Sequence, residues 1–338
     1  MIKMKRVIWA VNLLVIASLC LIGCGPVNGG KAGTSKIYKL AAIFPGLITD
    51  ADYNSMGYLG SMAVKRELGI ETTYTESVPT TDFQRITREK ITGGYNIIWA
   101  HGAQFLDLSL EVAKTYPDVT FIVEGDSKPE GLTENVWFID RNFHIGFYGL
   151  GALACMITST NKIGYITGPE LPFTYSEVRA IQQAIADSGK AITLYPVWTG
   201  DLNDPAIAKI KTDEFISEDV DVVLGSLNLG MQGVFESVKA NKDRHILVTA
   251  KYSDKSQFAP ENYVTSLLYD FSHPVVDVVK KIQSGEKGGY YPLGFDTGVR
   301  LQTPLMNVPE EVNKQIQTIV SDLQSGKITV VKDITPIQ

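Results

Sequence analysis

Val220-Asp221-Val222-Val223-Leu224-Gly225-Ser226 is the stretch that decides the fold. Its apolar residues run almost without interruption and do not alternate with polar ones. A strand of that kind is covered on both faces, the condition of a parallel sheet packed between helices. A Gly-bounded polar turn, Gly225-Ser226-Leu227-Asn228-Leu229-Gly230, follows it. The segment Gln232–Asn241 then reads as an amphipathic helix.

The same alternation extends in both directions. Further strands are expected at Ile37–Ile43, Glu71–Val78, Asn96–Ala100, Thr120–Glu124, Val136–Ile139, Ile163–Thr167, Ile192–Val197, Ile246–Ala250 and Val264–Leu268. Helical spacing recurs between them. Met56, Leu59, Met62, Ala63 and Arg66 share one face of Tyr53–Leu68. Phe83–Ile91, Phe105–Tyr116, Phe143–Thr158, Tyr175–Ser188, Asp204–Ile216 and Pro274–Ser284 read likewise. Strands alternating with helices imply a doubly wound α/β architecture.

The chain has 338 residues, enough for about two domains. That is too long for one open sheet of ordinary size, and no barrel-closure pattern is visible. Two α/β lobes are therefore expected, joined by a multi-strand hinge with a ligand cleft between them, an arrangement like that of periplasmic binding proteins. The first lobe is assigned 36–140 plus about 255–295, and the second 141–254 plus about 296–338. Ligands in open α/β sheets bind outside the carboxyl ends of the strands.

Composition narrows the function. The chain is 44% hydrophobic and 20% charged, which supports packed cores rather than disorder. Its net charge of −6 is the wrong sign for wrapping nucleic acid. Three cysteines cannot build a disulfide scaffold. Residues 1–23 read as a signal peptide: Lys3, Lys5 and Arg6 precede an apolar run from Val7 to Ile22 that is too short to span a bilayer. Leu21-Ile22-Gly23-Cys24 resembles the lipobox of bacterial lipoproteins, in which the Cys is acylated and the peptide is cut before it. Cleavage there would remove three basic residues and no acid, leaving the mature chain more acidic. Residues 24–35, rich in Gly, read as a tether. Cys155, within Leu150–Met156, reads as a small buried hydrophobe rather than a nucleophile. A lipid-anchored body on the extracytoplasmic face of a bacterial membrane is expected.

No catalytic constellation stands out. Gly-x-Ser-x-Gly, the Walker loop, His-Glu-x-x-His and Cys-x-x-Cys are all missing from the sequence. The four histidines are scattered singly, whereas metal ligands cluster or keep helical spacing. No catalytic residue, metal or cofactor is expected. The strand-end loops offer binding groups instead. Tyr53 and Asn54 open a helix after the first strand, and an aromatic face beside an amide suits a flat heteroaromatic ring. The alternative is local: Asp52 as helix N-cap with Tyr53 packed beside it. His101, Gln104 and Phe105 follow the third strand, and Asp126 the fourth. The second lobe offers Trp198, Leu202, Asn228, Tyr252 and Asp254, and Tyr269 and Asp270 follow a returning strand. Asp204-Pro205 can equally be read as a helix start, with Asp as cap and Pro in the first position.

Taken together, several segments resemble the basic membrane protein family of ABC-transporter substrate-binding lipoproteins, which includes purine receptors of the PnrA type. They are Asp50-Ala51-Asp52-Tyr53-Asn54, Tyr116–Phe121, Gly149–Ala154, Lys162–Gly168, Asn203-Asp204-Pro205 and Phe258–Glu261. The resemblance runs from about Tyr38 to Leu301 and lies in their order and spacing. It implies a receptor that closes around a purine base or nucleoside and delivers it to an ABC permease. It also implies that Tyr53 stacks on the base with Asn54 beside it. A second stacking aromatic is implied where this chain has Leu202, with Trp198 four residues earlier as a substitute. Where nucleoside-binding members carry acidic and Lys contacts to ribose, this chain has Tyr252 and Tyr269, with Asp254 and Asp270 close by. The ribose clamp is thus altered. Trp99–Phe105 is more similar to members associated with free nucleobases. The expected partners are the small ligand, the permease and, through Cys24, the bilayer; the protein is expected to be monomeric and not to bind nucleic acid. Other readings are a lipoprotein that presents a ligand to a signalling partner, a receptor for a non-purine solute, or a lipid-anchored enzyme acting on nucleosides.

Overall fold

The computed structural model describes residues 36–337. The expected signal peptide, Cys24 and the whole of the tether lie outside the described residues. From residue 38 onward the chain is one compact unit built on two six-stranded sheets.

The first sheet collects β1 (Lys39–Ile43), β2 (Glu71–Thr75), β3 (Ile97–Ala100), β4 (Thr120–Gly125) and β5 (Val136–Asp140). Between them run α1 (Tyr53–Leu68), α2 (Thr80–Thr92) and α3 (Leu106–Thr115). The second sheet collects β6 (Lys162–Thr167), β7 (Thr193–Trp198), β8 (Val222–Ser226), β9 (Leu247–Tyr252) and β10 (Tyr263–Tyr269). Its helices are α4 (Phe143–Ile157), α5 (Pro172–Ser188), α6 (Pro205–Ser217) and α7 (Met231–Ala240). The chain then passes through α8 (Ser272–Gln283), β11 (Gly289–Pro292), β12 (Val299–Leu301) and α9 (Glu310–Gln324).

The strand orders are β11-β5-β4-β3-β1-β2 and β12-β10-β9-β8-β6-β7. All pairings are parallel except that of β10 with β12. Burial follows position in the sheet. Every residue of the interior strands β3, β4, β5 and β8 is buried, in keeping with their largely apolar character. The edge strand β2, Glu-Thr-Thr-Tyr-Thr, is polar and partly exposed, which protects an edge from unwanted pairing. Cys155 is a buried free thiol in α4.

Within the described residues the chain crosses between the sheets three times: after β5, between β10 and α8, and between β11 and β12. The crossings are tied together. Leu293 N donates to the Asp140 carbonyl (2.8 Å), and Asp270 N to the Gly298 carbonyl (2.7 Å). Gly298 sits at φ +124°, and a Cβ there would meet the Asp270 oxygen at 2.5 Å, so only glycine permits this close approach.

One element stands elsewhere than expected. β10, within the 255–295 segment assigned to the first lobe, pairs in parallel with β9 and is part of the second sheet. Only after it does the chain return, with α8 packing on α1 and β11 joining β5. The apolar run of β10 identifies a buried strand but not its neighbour, and pairing partners are not written in periodicity. Strands β11 and β12 and helix α9 are additions to the expected elements. β11 is Gly-Tyr-Tyr-Pro and β12 only three residues long, too short for a hydrophobic pattern to register. Helix α9 opens with Glu310-Glu311 and buries just Asn313, Ile316 and Leu323.

Candidate functional site

Each sheet changes direction of winding once, between β1 and β3 in the first and between β6 and β8 in the second, as its strand order shows. These are the switch points at which open α/β sheets leave a crevice. A cleft of about 560 Å³ lies between the two sets of strand ends. The first lobe lines it with Pro45, Gly46, Tyr53, Asn54, Ala103, Gln104, Asp126 and Arg141. The second contributes Leu171, Pro172, Phe173, Leu202, Asn203, Asn228 and Tyr252. The volume is in the range that holds one small molecule.

Tyr53 is the best-anchored of these residues. Its hydroxyl donates to Glu124 Oε2 at 2.7 Å. Its ring stacks on His101, with centroids 4.0 Å apart and planes 21° from parallel. Phe271 meets it edge-on at 5.6 Å. Burial and the Glu124 carboxylate push the Tyr53 phenol well above its ordinary value, so it remains a neutral donor. Glu124 also accepts from Trp99 Nε1 (2.9 Å) and lies 2.7 Å from His101 Nδ1. Burial pushes its carboxyl up, but His101, the Tyr53 hydroxyl and Arg141 outweigh that and leave it below the usual carboxylate range.

Arg141 and Asp126 form a second buried pair at the cleft surface. Nε and Nη2 of Arg141 donate to the two Asp126 oxygens at 2.9 and 2.6 Å. This is the two-pronged geometry that suits guanidinium and carboxylate. Nη1 lies 3.4 Å from the Tyr53 hydroxyl. The guanidinium also sits 5.0 Å from the Phe143 ring centre and 5.4 Å from that of Phe173. Burial opposes its charge, but Asp126 holds its pKa well above the ordinary arginine value.

The second lobe has its own buried pair, Lys251 to Glu177 Oε1 at 2.6 Å, with Tyr165 donating to Glu177 Oε2 at 2.6 Å. Burial lowers the Lys251 pKa while Glu177 pulls it back up. Its ammonium lies 3.7 Å from the Phe143 ring centre and 4.8 Å from that of Phe173. These contacts hold Phe173, which lines the cleft, and Phe143 behind it. Tyr252 projects beside them at φ +74°, 5.8 Å from Tyr53 and 5.4 Å from Tyr269.

The loop before α1 bridges the two lobes. Asp50, not Asp52, receives the helix N-terminus, accepting from the backbone of Asn54 at 3.0 Å and of Ser55 at 2.9 Å. Asp52 makes no capping bond. It instead reaches the second lobe, where it pairs with Lys255 and accepts from Ser253 at 3.1 Å. Burial pushes the Asp52 carboxyl up to about 6 against the pull of Lys255.

Seven of the residues singled out in the sequence line this cleft: Tyr53, Asn54, Gln104, Asp126, Leu202, Asn228 and Tyr252. Asn54 is already engaged, accepting from Gly46 N (3.2 Å) and donating to Asp50 (2.7 Å), so it shapes the loop as well as facing the cleft. The other six lie outside the lining. His101 is fully buried behind Tyr53. Phe105 is in the core, stacked on Phe83 at 4.4 Å. Trp198 donates to Thr174 at 2.9 Å beside Tyr175 and is not among the lining residues. Tyr269 is buried against Phe143. Asp254 and Asp270 each accept a backbone N–H two residues on, closing a local turn. Asp204 caps α6 through Ala206 N and Ile207 N, with Pro205 next, which is the structural alternative for that motif.

Arg141, Phe173, Glu124 and the Lys251–Glu177 pair are site residues that the sequence reading does not single out. A signal existed for the charged ones, since Glu124, Arg141 and Lys251 each sit at the end of an apolar strand, where a charge must find a buried partner. Phe173 follows Leu171-Pro172 and reads only as a helix start. Among the described residues no group of three or more His, Cys, Asp or Glu is placed to hold a metal ion, and no helix is long and apolar enough to cross a membrane.

Residues 37–332 match the family profile described as ABC transporter substrate-binding protein, PnrA-like. Basic membrane protein A2 of Borrelia garinii subsp. bavariensis is 24% identical over 324 residues, covering 94% of this chain and 95% of the relative. A purine-binding protein of Brucella abortus is 22% identical over 319 residues, covering 93% and 88%. An ABC-transporter solute-binding protein of Aeropyrum pernix has a similar fold, with a TM-score of 0.73 at 18% identity over 87% of this chain and 93% of that one.

Proposed function

This chain belongs to the PnrA-like family of ABC-transporter substrate-binding proteins, and from that premise we propose that its interlobe cleft captures a purine nucleobase or nucleoside and presents it to a permease. The observation that carries the reading is the Tyr53 ring. It borders the cleft on one side and is held from behind by His101 and at its hydroxyl by Glu124. A fixed aromatic face of this kind gives a flat ring a stacking surface at little ordering cost. Phe173 and Tyr252 supply aromatic surface from the opposite lobe, and Arg141, Asp126, Asn228 and Gln104 offer donors and acceptors to the ring edge. The name of the Brucella relative supports the same ligand class.

The cycle is one of binding and release without chemistry. Lobe closure about the three crossings buries the ligand, as in hinge-type receptors. Acylation at Cys24 would hold the protein, as a monomer, on the extracytoplasmic face of the membrane beside its permease. Calorimetric titration of the mature protein with hypoxanthine, adenine, inosine, guanosine, monosaccharides and amino acids tests the ligand. Saturable binding of a base or nucleoside supports the reading. Heat from a sugar or amino acid with silence from every purine would overturn it.

A further inference from the structure

His101 is wholly buried, and both of its ring nitrogens face acceptors. Nε2 lies 2.9 Å from the Tyr53 carbonyl oxygen, and Nδ1 lies 2.7 Å from Glu124 Oε1. A carbonyl oxygen only accepts, so Nε2 carries a proton. Around Glu124 the other partners are donors: Trp99 Nε1–H at 2.9 Å and the Tyr53 hydroxyl at 2.7 Å. The next neighbour of that hydroxyl is Arg141 Nη1 at 3.4 Å, also a donor, so the phenolic proton points to Glu124. A second proton must therefore lie between Nδ1 and Oε1. Placing it on the imidazole satisfies every N–H and O–H in the cluster and leaves a carboxylate with three donors.

The rest of the surroundings do not compete for that charge. Phe44, Trp99 and Phe271 meet the His101 ring edge-on at 4.8 to 5.5 Å. Of the nearby ions, Arg141 and Asp126 are paired with each other.

We propose that His101 and Glu124 are positioning residues for the ligand: a buried imidazolium–carboxylate pair that grips Tyr53 at its ring face, its hydroxyl and its carbonyl oxygen, and so sets the plane on which the ligand stacks. This rests on Tyr53 being the stacking surface of the proposed function. Loss of the shared proton would set a nitrogen lone pair against a carboxylate oxygen at 2.7 Å, and the ring would have to move. The platform would move with it.

Two measurements test the proposal. In ¹⁵N-labelled ligand-free protein at neutral pH, both ring nitrogens of His101 are expected to show protonated shifts, with the assignment made by their loss in His101→Phe. A neutral imidazole, with one protonated nitrogen, would overturn the pair. The second is a cycle of His101→Phe, Glu124→Gln and the double variant. Each single change strands a buried charge or acceptor. Each is expected to lower the melting temperature and to weaken hypoxanthine binding about tenfold, with the double variant no worse than the poorer single. Independent, additive losses, or an unchanged affinity in Glu124→Gln, would overturn the positioning role. Wild-type protein that shows the doubly protonated ring and the coupled melting shifts, yet binds neither hypoxanthine nor inosine, would uphold the pair and overturn the purine reading instead.

Discussion

Lys255 of the second lobe pairs with Asp52 of the first, and the two residues are 5% and 2% exposed. In the proposed cycle of opening and closure, an ion pair buried between the lobes couples electrostatics to closure. Removing one partner leaves the other charge buried, which costs about 3–5 kcal/mol in a rigid core. In the proposed cycle the lobes open, which would rehydrate the stranded group. Lys255→Met and Asp52→Asn are therefore expected to shift the ligand-free protein toward open forms rather than unfold it, and to weaken ligand binding by about ten- to a hundredfold. Small-angle scattering reads the opening and calorimetry the affinity. A radius of gyration and an affinity both equal to wild type would show that the pair does not restrain the lobes.

Tyr53 separates stacking from hydrogen bonding. Tyr53→Ala removes the aromatic face and is expected to abolish ligand binding while the sheets remain intact. Tyr53→Phe keeps the face but deprives Glu124 Oε2 of its donor. A buried acceptor left unpaired costs about 1–3 kcal/mol, so the Phe variant should lose stability more than affinity. Urea denaturation and titration of both variants check this. Equal affinity in wild type and Tyr53→Ala would move the binding surface away from this residue.

Gly57 makes a prediction that runs against helix propensity. It lies inside α1, where Ala is ordinarily better by about 1 kcal/mol. A Cβ there, however, would meet His101 Cδ2 and Nε2 at 2.6 Å and the Phe44 ring at 2.8 Å. His101 cannot retreat without breaking its bonds to Glu124 and Tyr53. Gly57→Ala is accordingly expected to destabilise by about 1–3 kcal/mol and to weaken ligand binding as well. A melting temperature at or above wild type would contradict the close packing.

These contacts show what a sequence can and cannot carry. The unbroken apolar character of Val222–Leu224 and its counterparts announces parallel strands, because burial on both faces leaves a one-dimensional mark. The loops after those strands mark one edge of the cleft, which is how Tyr53, Asp126 and Tyr252 could be singled out. The partner of a buried charge is not local. Glu124 and His101 are 23 positions apart, Lys251 and Glu177 are 74, and Asp52 and Lys255 are 203. Asp254 and Asp270 fall outside the cleft lining for the opposite reason: a carboxylate at a strand end can serve its own turn as readily as a ligand. The placement of β10 in the second sheet is likewise a matter of which edge a strand meets.

His144 supplies a pH dependence that can be followed without any ligand. It is buried in α4, and its Nδ1 has no hydrogen-bond partner among the described residues. Burial, with a smaller repulsion from Lys332, lowers its pKa from 6.5 to about 3. The folded protein thus holds this imidazole neutral across a range in which the unfolded chain binds a proton. Where the unfolded state binds more protons, stability rises with pH. The contribution is therefore present in full above about pH 6.5 and is lost as the pH falls toward 3. Each tenfold change in proton affinity is worth about 1.4 kcal/mol, so the loss amounts to a few kcal/mol. His144→Leu removes the titrating group and keeps the site apolar. Urea unfolding at about pH 7, 5 and 4 should give wild type a steeper decline than the variant, with the difference growing toward acid. Parallel declines would mean that the acid sensitivity of the fold arises elsewhere, in carboxylates such as Asp221, which donors from Thr158, Ser159 and Thr160 hold below its ordinary range against burial.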